Sequence, residues 1–414
     1  MKNIVILAFK NLTRHKKRTI ITSIAIAFGI ALLIWMDGML KWADNESKRN
    51  LKNYEFGNFI VCTKEYADDR KDFPLDSVIE KPEVEKVLII AENTGCFSSP
   101  RTGFRSMMSY KRGFGLPYVV FAIDPELDAK VFKIKDNIIQ GNYLDKNSEG
   151  ILISAYCKKE LGIDIGEYII METRTKYNTM QALRLKVTGI FDCPNPIVNK
   201  NQLFITRTMA ENNLQLEGMA SEIAFRTENG DNQPALNKVK TLLASKKLTL
   251  LTTQTWQEYG SDYLAISQTK KGGSKIMIFL IFVIVAVGII NTMTMSIFER
   301  VREMGMLRAL GMRDNDVIKC FIIEAAGLGL IGSVMGLFLG VCLTIYGVNV
   351  GLDFTSSFKD MDFGYRTGTI FYNEWNPGMM LAAFIFGILC SVLVSILPSK
   401  KAVKMEITDS IRYL

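Results

Sequence analysis

Phe298-Glu299-Arg300-Val301-Arg302-Glu303-Met304-Gly305-Met306-Leu307-Arg308-Ala309-Leu310-Gly311 stands between two strongly apolar segments, and the reading of the chain turns on it. The run is short, charged, helix-prone and closed by a glycine. Glu299 faces Arg302 and Glu303 at i+3 and i+4, while Val301, Met304 and Leu307 recur at intervals of three as an apolar stripe. Charge on one side suits water, and the stripe suits a hydrophobic cleft in a partner. The same pattern also suits a basic amphipathic helix resting on a membrane. Gly311 is placed to end the helix in the left-handed conformation, with Asp314 capping a second helix that begins near Asn315.

Outward from this run, residues 19–40, 275–298, 320–350 and 378–398 are nearly free of charge. Each reaches the roughly 20 residues that cross a bilayer. Buried core helices of that length carry a polar face, whereas here only isolated polar residues such as Asn291 and Ser333 interrupt the apolar sequence. Averages alone do not decide the class: 48% of the 414 residues are hydrophobic and 22% charged, with 50 Lys+Arg against 42 Asp+Glu. The expected fold class is a membrane protein with four transmembrane α-helices and a large mixed α/β extracytoplasmic domain between the first and second spans. The first segment reads as an uncleaved anchor rather than a signal peptide. Its Ala25-Ile26-Ala27 lies inside the apolar run, and bulky Trp35 and Met36 follow.

Lys and Arg in short flanks are retained in the cytoplasm. Lys10, Arg14, Lys16, Lys17 and Arg18 precede the first span, Arg300, Arg302, Arg308, Arg313 and Lys319 lie in loop 299–319, and Lys400, Lys401, Lys404 and Arg412 lie in tail 399–414. Loop 351–377 carries only Lys359 and Arg366. Both termini, including segment 1–18, and the opening run therefore face the cytoplasm, in a multi-pass chain of the inner membrane. Residues 41–274 form the outer domain, large enough to bury its own core. The net charge of +8 is absorbed by these topology signals and by contact with membrane lipids, so no nucleic acid is expected.

In the outer domain, Asn58 to Cys62, Val84 to Ala91, Tyr118 to Ile123, Gly150 to Ser154, Tyr168 to Thr173, Leu183 to Phe191, Gln202 to Thr206, Glu222 to Arg226 and Leu248 to Thr253 read as strands. Ala155 to Leu161, Arg207 to Leu214 and Pro234 to Ser245 read as helices. Trp256 to Gly272 reads as a polar helical stalk entering the second span, either continuous or hinged at Gly272-Gly273. Cys62, Cys96, Cys157 and Cys193 lie outside; they allow three complete pairings, or remain free thiols.

No catalytic constellation emerges. The single histidine, His15, lies on the basic N-terminal segment, which leaves no base for a Ser-His-Asp site and no zinc-type ligand set. Gly113-Phe114-Gly115 is a turn. No G-x-x-x-x-G-K-[ST] occurs, so no ATP is expected to be hydrolysed by this chain, and any energy arrives from a partner. Gly332, Gly336 and Gly340 form a small-residue stripe for close helix contact, within the chain or across a dimer. Glu324 and Asp37 lie near span ends, where a carboxylate costs less than the about 2.5–3.5 kcal/mol of mid-bilayer.

The run Glu299 to Gly311 closely resembles the coupling helix of the ABC-transporter permeases of the FtsX/MacB/LolC–LolE family, with Met304 and Met306 where that family more often has Ile. Leu7-Ala8-Phe9-Lys10-Asn11-Leu12 is similar to its interfacial helix. Phe121-Ala122-Ile123-Asp124-Pro125-Glu126, Gly150-Ile151-Leu152-Ile153-Ser154 and Val187-Thr188-Gly189-Ile190-Phe191 resemble landmarks of its outer domain, and Pro398-Ser399-Lys400-Lys401-Ala402 its tail. The resemblance is nearest the LolC/LolE-like, lipoprotein-releasing branch.

It implies a noncatalytic permease subunit that pairs with a second permease, as homodimer or paralogue heterodimer. Two copies of a separate ATPase, which hold the ATP and Mg, would dock through Glu299, Arg300, Arg302, Glu303, Met304, Gly305, Leu307, Arg308, Ala309, Leu310 and Gly311. For a lipoprotein cargo, Leu33, Met36, Phe279 and Phe282 are the expected lining of an acyl-chain cavity. LolC-type members grip a periplasmic carrier with a long hairpin; here only Arg174 to Ala182 lies at that position. The same machine also serves MacB-like efflux of peptides or drugs, or FtsX-like signalling to a cell-wall hydrolase.

Overall fold

A computed structural model describes residue 6 and residues 16–111, 115–227, 232–299, 301–354 and 365–403. The expected interfacial helix, His15, the Gly113-Phe114 turn, Arg300 and most of the tail lie outside the described residues. The chain divides into two units. One comprises residues 44–266 and 357–369, the other residues 1–43, 267–356 and 370–414.

The first unit is α/β. Its elements in chain order are β1 (Phe59–Thr63), α1 (Lys64–Asp69), α2 (Lys81–Asn93), β2 (Cys96–Ser109), β3 (Leu116–Ile123) and α3 (Pro125–Val131). There follow β4 (Ile138–Gly141), β5 (Gly150–Ser154), α4 (Ala155–Leu161), β6 (Tyr168–Arg174), β7 (Met180–Phe191), α5 (Pro196–Asn201), β8 (Gln202–Thr206) and α6 (Arg207–Leu214). The last are β9 (Glu222–Thr227), α7 (Asn232–Ser245), β10 (Leu251–Thr255) and α8 (Trp256–Tyr259). Local signals set several of these. The Ser154 and Thr206 side chains accept from the backbone N–H of Cys157 and Met209 to start α4 and α6, and Gly162 ends α4 with a φ of 66°.

Two lobes share β2. In the first, β10, β1, β9 and β2 pair antiparallel in that order, a split βαβ arrangement in which α2 and α7 cover one face. Phe59, Val61, Val87, Ile223, Leu236 and Val239 fill that core. In the second, β2 pairs β3, then β8, β5, β7 and β6 follow, and β6 returns to β2 from Ser106↔Thr173 to Ser109↔Ile170, which closes a barrel. Side chains of β6 alternate strictly between exposed and buried, so Ile169 and Met171 enter the interior with Phe104, Val120, Leu185 and Ile205. Closure leaves these strands no free edge to manage.

β2 belongs to both lobes because it is long. Cys96 to Arg101 pair with β9, and Arg101 to Met108 with β3. A Cβ at Gly103 would stand 2.8 Å from Phe73 and 2.9 Å from Phe121, so the crossing admits only glycine without repacking.

One sequence expectation changes, and two alternatives left open by the sequence are resolved. Val84 to Ala91 is not a strand but part of α2: Pro82 lies in the first turn, and Val84, Val87, Ile90 and Ala91 are buried at helical spacing. Of the two forms offered for the stalk, the structure has the one continuous across Gly272-Gly273, in a helix that runs Ser261–Glu299 and is preceded by the separate α8. The four outer cysteines are buried free thiols.

Among the described residues, three helices are long and apolar enough to cross a membrane: Thr19–Phe56, whose last part from Asp44 belongs to the first unit, and Asp314–Asn349 and Pro377–Lys401 of the second. The fourth expected span, 275–298, falls within the helix Ser261–Glu299. Ile26, Ile30 and Ile34 of the first long helix pack with Ala325 and Leu328 of the third and Ala383, Cys390 and Val394 of the fourth. The glycine stripe makes this approach feasible. A Cβ at Gly332 would stand 2.7 Å from the Cβ of Ile26, one at Gly336 2.8 Å from the Ala27 carbonyl oxygen, and one at Gly340 2.9 Å from Ile34. The stripe is thus occupied within the chain.

Candidate functional site

The opening run forms a helix, Val301–Ala309, between the second and third long helices. Its end is a Schellman motif: the Met312 N–H donates to the Leu307 carbonyl at 3.0 Å and the Gly311 N–H to that of Arg308 at 3.0 Å. Gly311 takes a φ of 99° there, which a side chain would strain. Leu307, Met312 and Val403 all pack against the buried Val317 and Phe321. Arg308 reaches across the turn, with Nε 2.9 Å from Oδ1 of Asp314. Asp314 is therefore the first residue of the third long helix and an ion-pair partner; Arg313, not Asp314, is the residue before the helix.

These contacts decide which side of the helix is outward. Gly305 is buried, Leu307 and Arg308 are partly buried, and Arg302, Glu303, Met306, Ala309 and Leu310 are exposed. The exposed set has the spacing i, i+1, i+4, i+7, i+8, a single helical face. The expectation that Leu307 belongs to an outward stripe is therefore corrected: Leu307 anchors the helix to the third long helix. The apolar groups on the open face are Met306 and Leu310, the latter 85% exposed. The side chains of Val301 and Met304, like Arg300, are outside the described residues.

The expected cavity residues separate. Leu33 is buried and so cannot line an open cavity as it stands, Met36 is half-buried, and Phe279 is 60% exposed. The Phe282 side chain is outside the described residues. Glu324 is buried, and Asp37 accepts a hydrogen bond from Asn376 Nδ2 at 2.8 Å. Near Asp37, Lys41 pairs with Glu374 at 3.3 Å.

In the α/β unit the loop between β6 and β7 is tight, closed by a hydrogen bond from the Thr175 N–H to the Thr179 carbonyl at 2.8 Å. Beside it a cleft of about 970 Å³ is lined by Phe73, Leu75, Met107, Tyr118, Glu172 and Arg174, among others. Burial pushes the thiols of Cys62 and Cys193 up to about 12 and that of Cys157 to about 11. They are therefore poor nucleophiles at neutral pH. Among the described residues no His, Cys, Asp and Glu side chains group as a metal site would.

The description "FtsX-like permease C-terminal" matches residues 275–407, and "MacB-like periplasmic core domain" matches residues 19–241. The chain is 21% identical to an uncharacterized ABC transporter permease of Methanocaldococcus jannaschii, over 99% of this chain and 98% of that one. It is 21% identical to the lipoprotein-releasing system transmembrane protein LolC of Neisseria meningitidis, over 70% of this chain and 71% of that one. Against the macrolide export ATP-binding/permease protein MacB of Escherichia coli the identity is 21%, over 97% of this chain and 59% of the longer protein.

Proposed function

We propose, from the premise that the chain belongs to the family of ABC-transporter permeases joining a MacB-like periplasmic core domain to an FtsX-like C-terminal region, that it is a noncatalytic subunit that releases lipoproteins from the inner membrane. Four spans, at 19–40, 275–298, 320–350 and 378–398, place 41–274 and 351–377 outside, and 1–18, 299–319 and 399–414 inside. Two such permeases, identical or paralogous, bind two copies of a separate ATPase, which supplies ATP and Mg.

The observation that carries this reading is the helix Val301–Ala309, fastened on one side and open on the other. Arg302, Glu303, Met306, Ala309 and Leu310 dock in a cleft of the ATPase, with Met306 and Leu310 as the apolar anchors. A push on that face cannot be absorbed locally. Leu307 packing and the Arg308–Asp314 pair pass it to the third long helix, and the contacts of Gly332, Gly336 and Gly340 pass it on to the first. The helices Lys16–Asn50 and Ser261–Glu299 continue without a break beyond their apolar parts and carry the displacement outward.

Acyl chains of a lipoprotein need apolar walls, since each buried CH₂ contributes about 0.8 kcal/mol. Met36, Phe279 and Phe282 supply them, and Leu33 joins only if the first long helix moves. The short β6–β7 loop gives no long hairpin for a periplasmic carrier, which fits the non-docking member of a heterodimer. A photocrosslinker at Met36 in native membranes is expected to capture a lipoprotein.

One observation favours a second reading, MacB-like efflux. The cleft beside β6 has the volume of a small-ligand or peptide site and mixes apolar side chains with both signs of charge. A crosslinker at Met107 that captures peptides, with no lipoprotein at Met36, overturns the lipoprotein reading in its favour.

A further inference from the structure

The first long helix does not end in α geometry. Over Leu51–Phe56 it widens into a π-helical turn, with Leu51, Asn53, Tyr54, Glu55 and Phe56 all buried. π-helical turns are rare, and they recur at functional positions. A carboxylate buried in one requires partners.

Glu55 finds its partners in two places remote in sequence. Asn195 Nδ2 donates to Glu55 Oε1 at 2.6 Å. Arg366, from the segment that links the third and fourth long helices, places Nε 3.2 Å from the same oxygen. Its backbone is held as well: the Arg366 N–H donates to Ser47 Oγ at 3.0 Å, and its carbonyl accepts from Asn50 Nδ2 at 2.7 Å. One residue thus grips Ser47, Asn50 and Glu55, successive points along the end of the first long helix.

The neighbouring residue of the turn is held separately. The Arg70 guanidinium lies 4.7 Å from the Phe56 ring centroid and 3.4 Å from that of Tyr259, and its Nε donates to buried Glu222 at 3.3 Å. Tyr263, at the start of the second long helix, donates to Asp44 Oδ1 at 3.2 Å. All of these residues belong to the α/β unit. The ends of the two long helices are therefore fixed to each other and to the sheet by Arg70, Glu222 and Tyr263. Arg366 adds a third attachment from a different part of the chain.

We infer that Arg366 is a positioning residue through which the segment between the third and fourth long helices fastens the π-helical turn, giving the outer domain a third mechanical input beside the two helices that enter it. The fastening follows from geometry alone; its role as an input rests on the ATP-driven reading given above. Because Glu55 is buried, the ion pair is shielded from solvent and gives the attachment a fixed register rather than a loose surface contact.

Hydrogen exchange by mass spectrometry on the full chain with its ATPase in lipid nanodiscs tests both parts. Arg366→Gln and Glu55→Gln are each expected to raise exchange across residues 47–56 by roughly fivefold or more, and the double variant no further than the larger single, because one shared pair is lost. Arg366→Lys, which keeps the charge, is expected to recover part of the protection and to show that the fold is intact. In wild type, a nonhydrolysable ATP analogue is expected to change exchange in this segment; Arg366→Gln should abolish that change while leaving ATPase copurification and basal hydrolysis unaltered. Additive single effects, or a nucleotide response that survives Arg366→Gln, overturn the inference. A wild-type complex that binds ATPase and nucleotide yet shows no response overturns the mechanical reading itself, whatever the variants do to basal protection.

Discussion

Asp128→Ala is expected to destabilise the α/β unit by about 3–5 kcal/mol, because it strands a buried guanidinium. Arg101 and Asp128 are both fully buried, with Nε 2.6 Å from Oδ1 and Nη2 3.0 Å from Oδ2; Ser99 Oγ donates to the same carboxylate at 3.1 Å. Phe132 lies under the guanidinium, 3.2 Å from Cζ to the ring centroid. Arg101 also stands where β2 passes from β9 to β3, so the pair pins the crossing of the two lobes. For a unit of this size, the loss corresponds to a fall of roughly 6–20 °C in unfolding temperature. Arg101→Met with Asp128→Asn is expected to recover most of it, since no uncompensated charge remains and the volume is nearly kept. Differential scanning fluorimetry of the full chain in detergent reads both. A shift of less than about 2 °C for Asp128→Ala, or a double variant as damaged as the single, refutes the reasoning.

Gly336→Ala is expected to cost about 1–3 kcal/mol, because its Cβ meets the Ala27 carbonyl oxygen and Ile30 at 2.8 Å, whereas Gly272→Ala, with nothing within 4 Å, should stabilise by up to about 1 kcal/mol; thermal unfolding distinguishes the two. Alkaline pH gives a further check. An unfolded thiol ionises near 9.0 but folded Cys62 and Cys193 only at about 12, so the unfolded state loses its protons first. Stability is then full below pH 9 and falls through the window up to 12, by about 1.4 kcal/mol per pH unit for each thiol. Urea titrations at pH 8 and pH 10 are expected to show the fall, and Cys62→Ala to make it shallower.

The parts of the fold legible in the sequence were those with a local cause. Gly150–Ser154, Ala155–Leu161, Gln202–Thr206 and Arg207–Leu214 have the expected bounds because a cap residue stands at each strand-to-helix change. Val84 to Ala91 misled because its β-branched residues favour strands, while the burial of Val84, Val87 and Ile90 on one face favours a helix more. β2 escaped notice because Pro100 and Gly103 break its pattern, yet both fit: Gly103 at a tight crossing, Pro100 within the paired run opposite Ile223. Barrel closure between Ser106 and Thr173, and the bond from Asn50 to Arg366 across 316 positions, have no local signature at all. In the candidate site, the helix and its glycine stop were readable. Which face is open was not, because it depends on Leu307 packing against Val317 and Phe321 after the chain reverses.

The central claim is that the open face of Val301–Ala309 receives work from an ATPase, and copurification of that ATPase with face variants tests it most directly. Leu310→Asp and Met306→Asp put a charge where an apolar anchor is proposed without touching the packed side. Each is expected to reduce the bound ATPase by roughly tenfold or more, at unchanged permease yield. Wild-type levels of bound ATPase and of ATP-dependent activity in both variants would contradict the account.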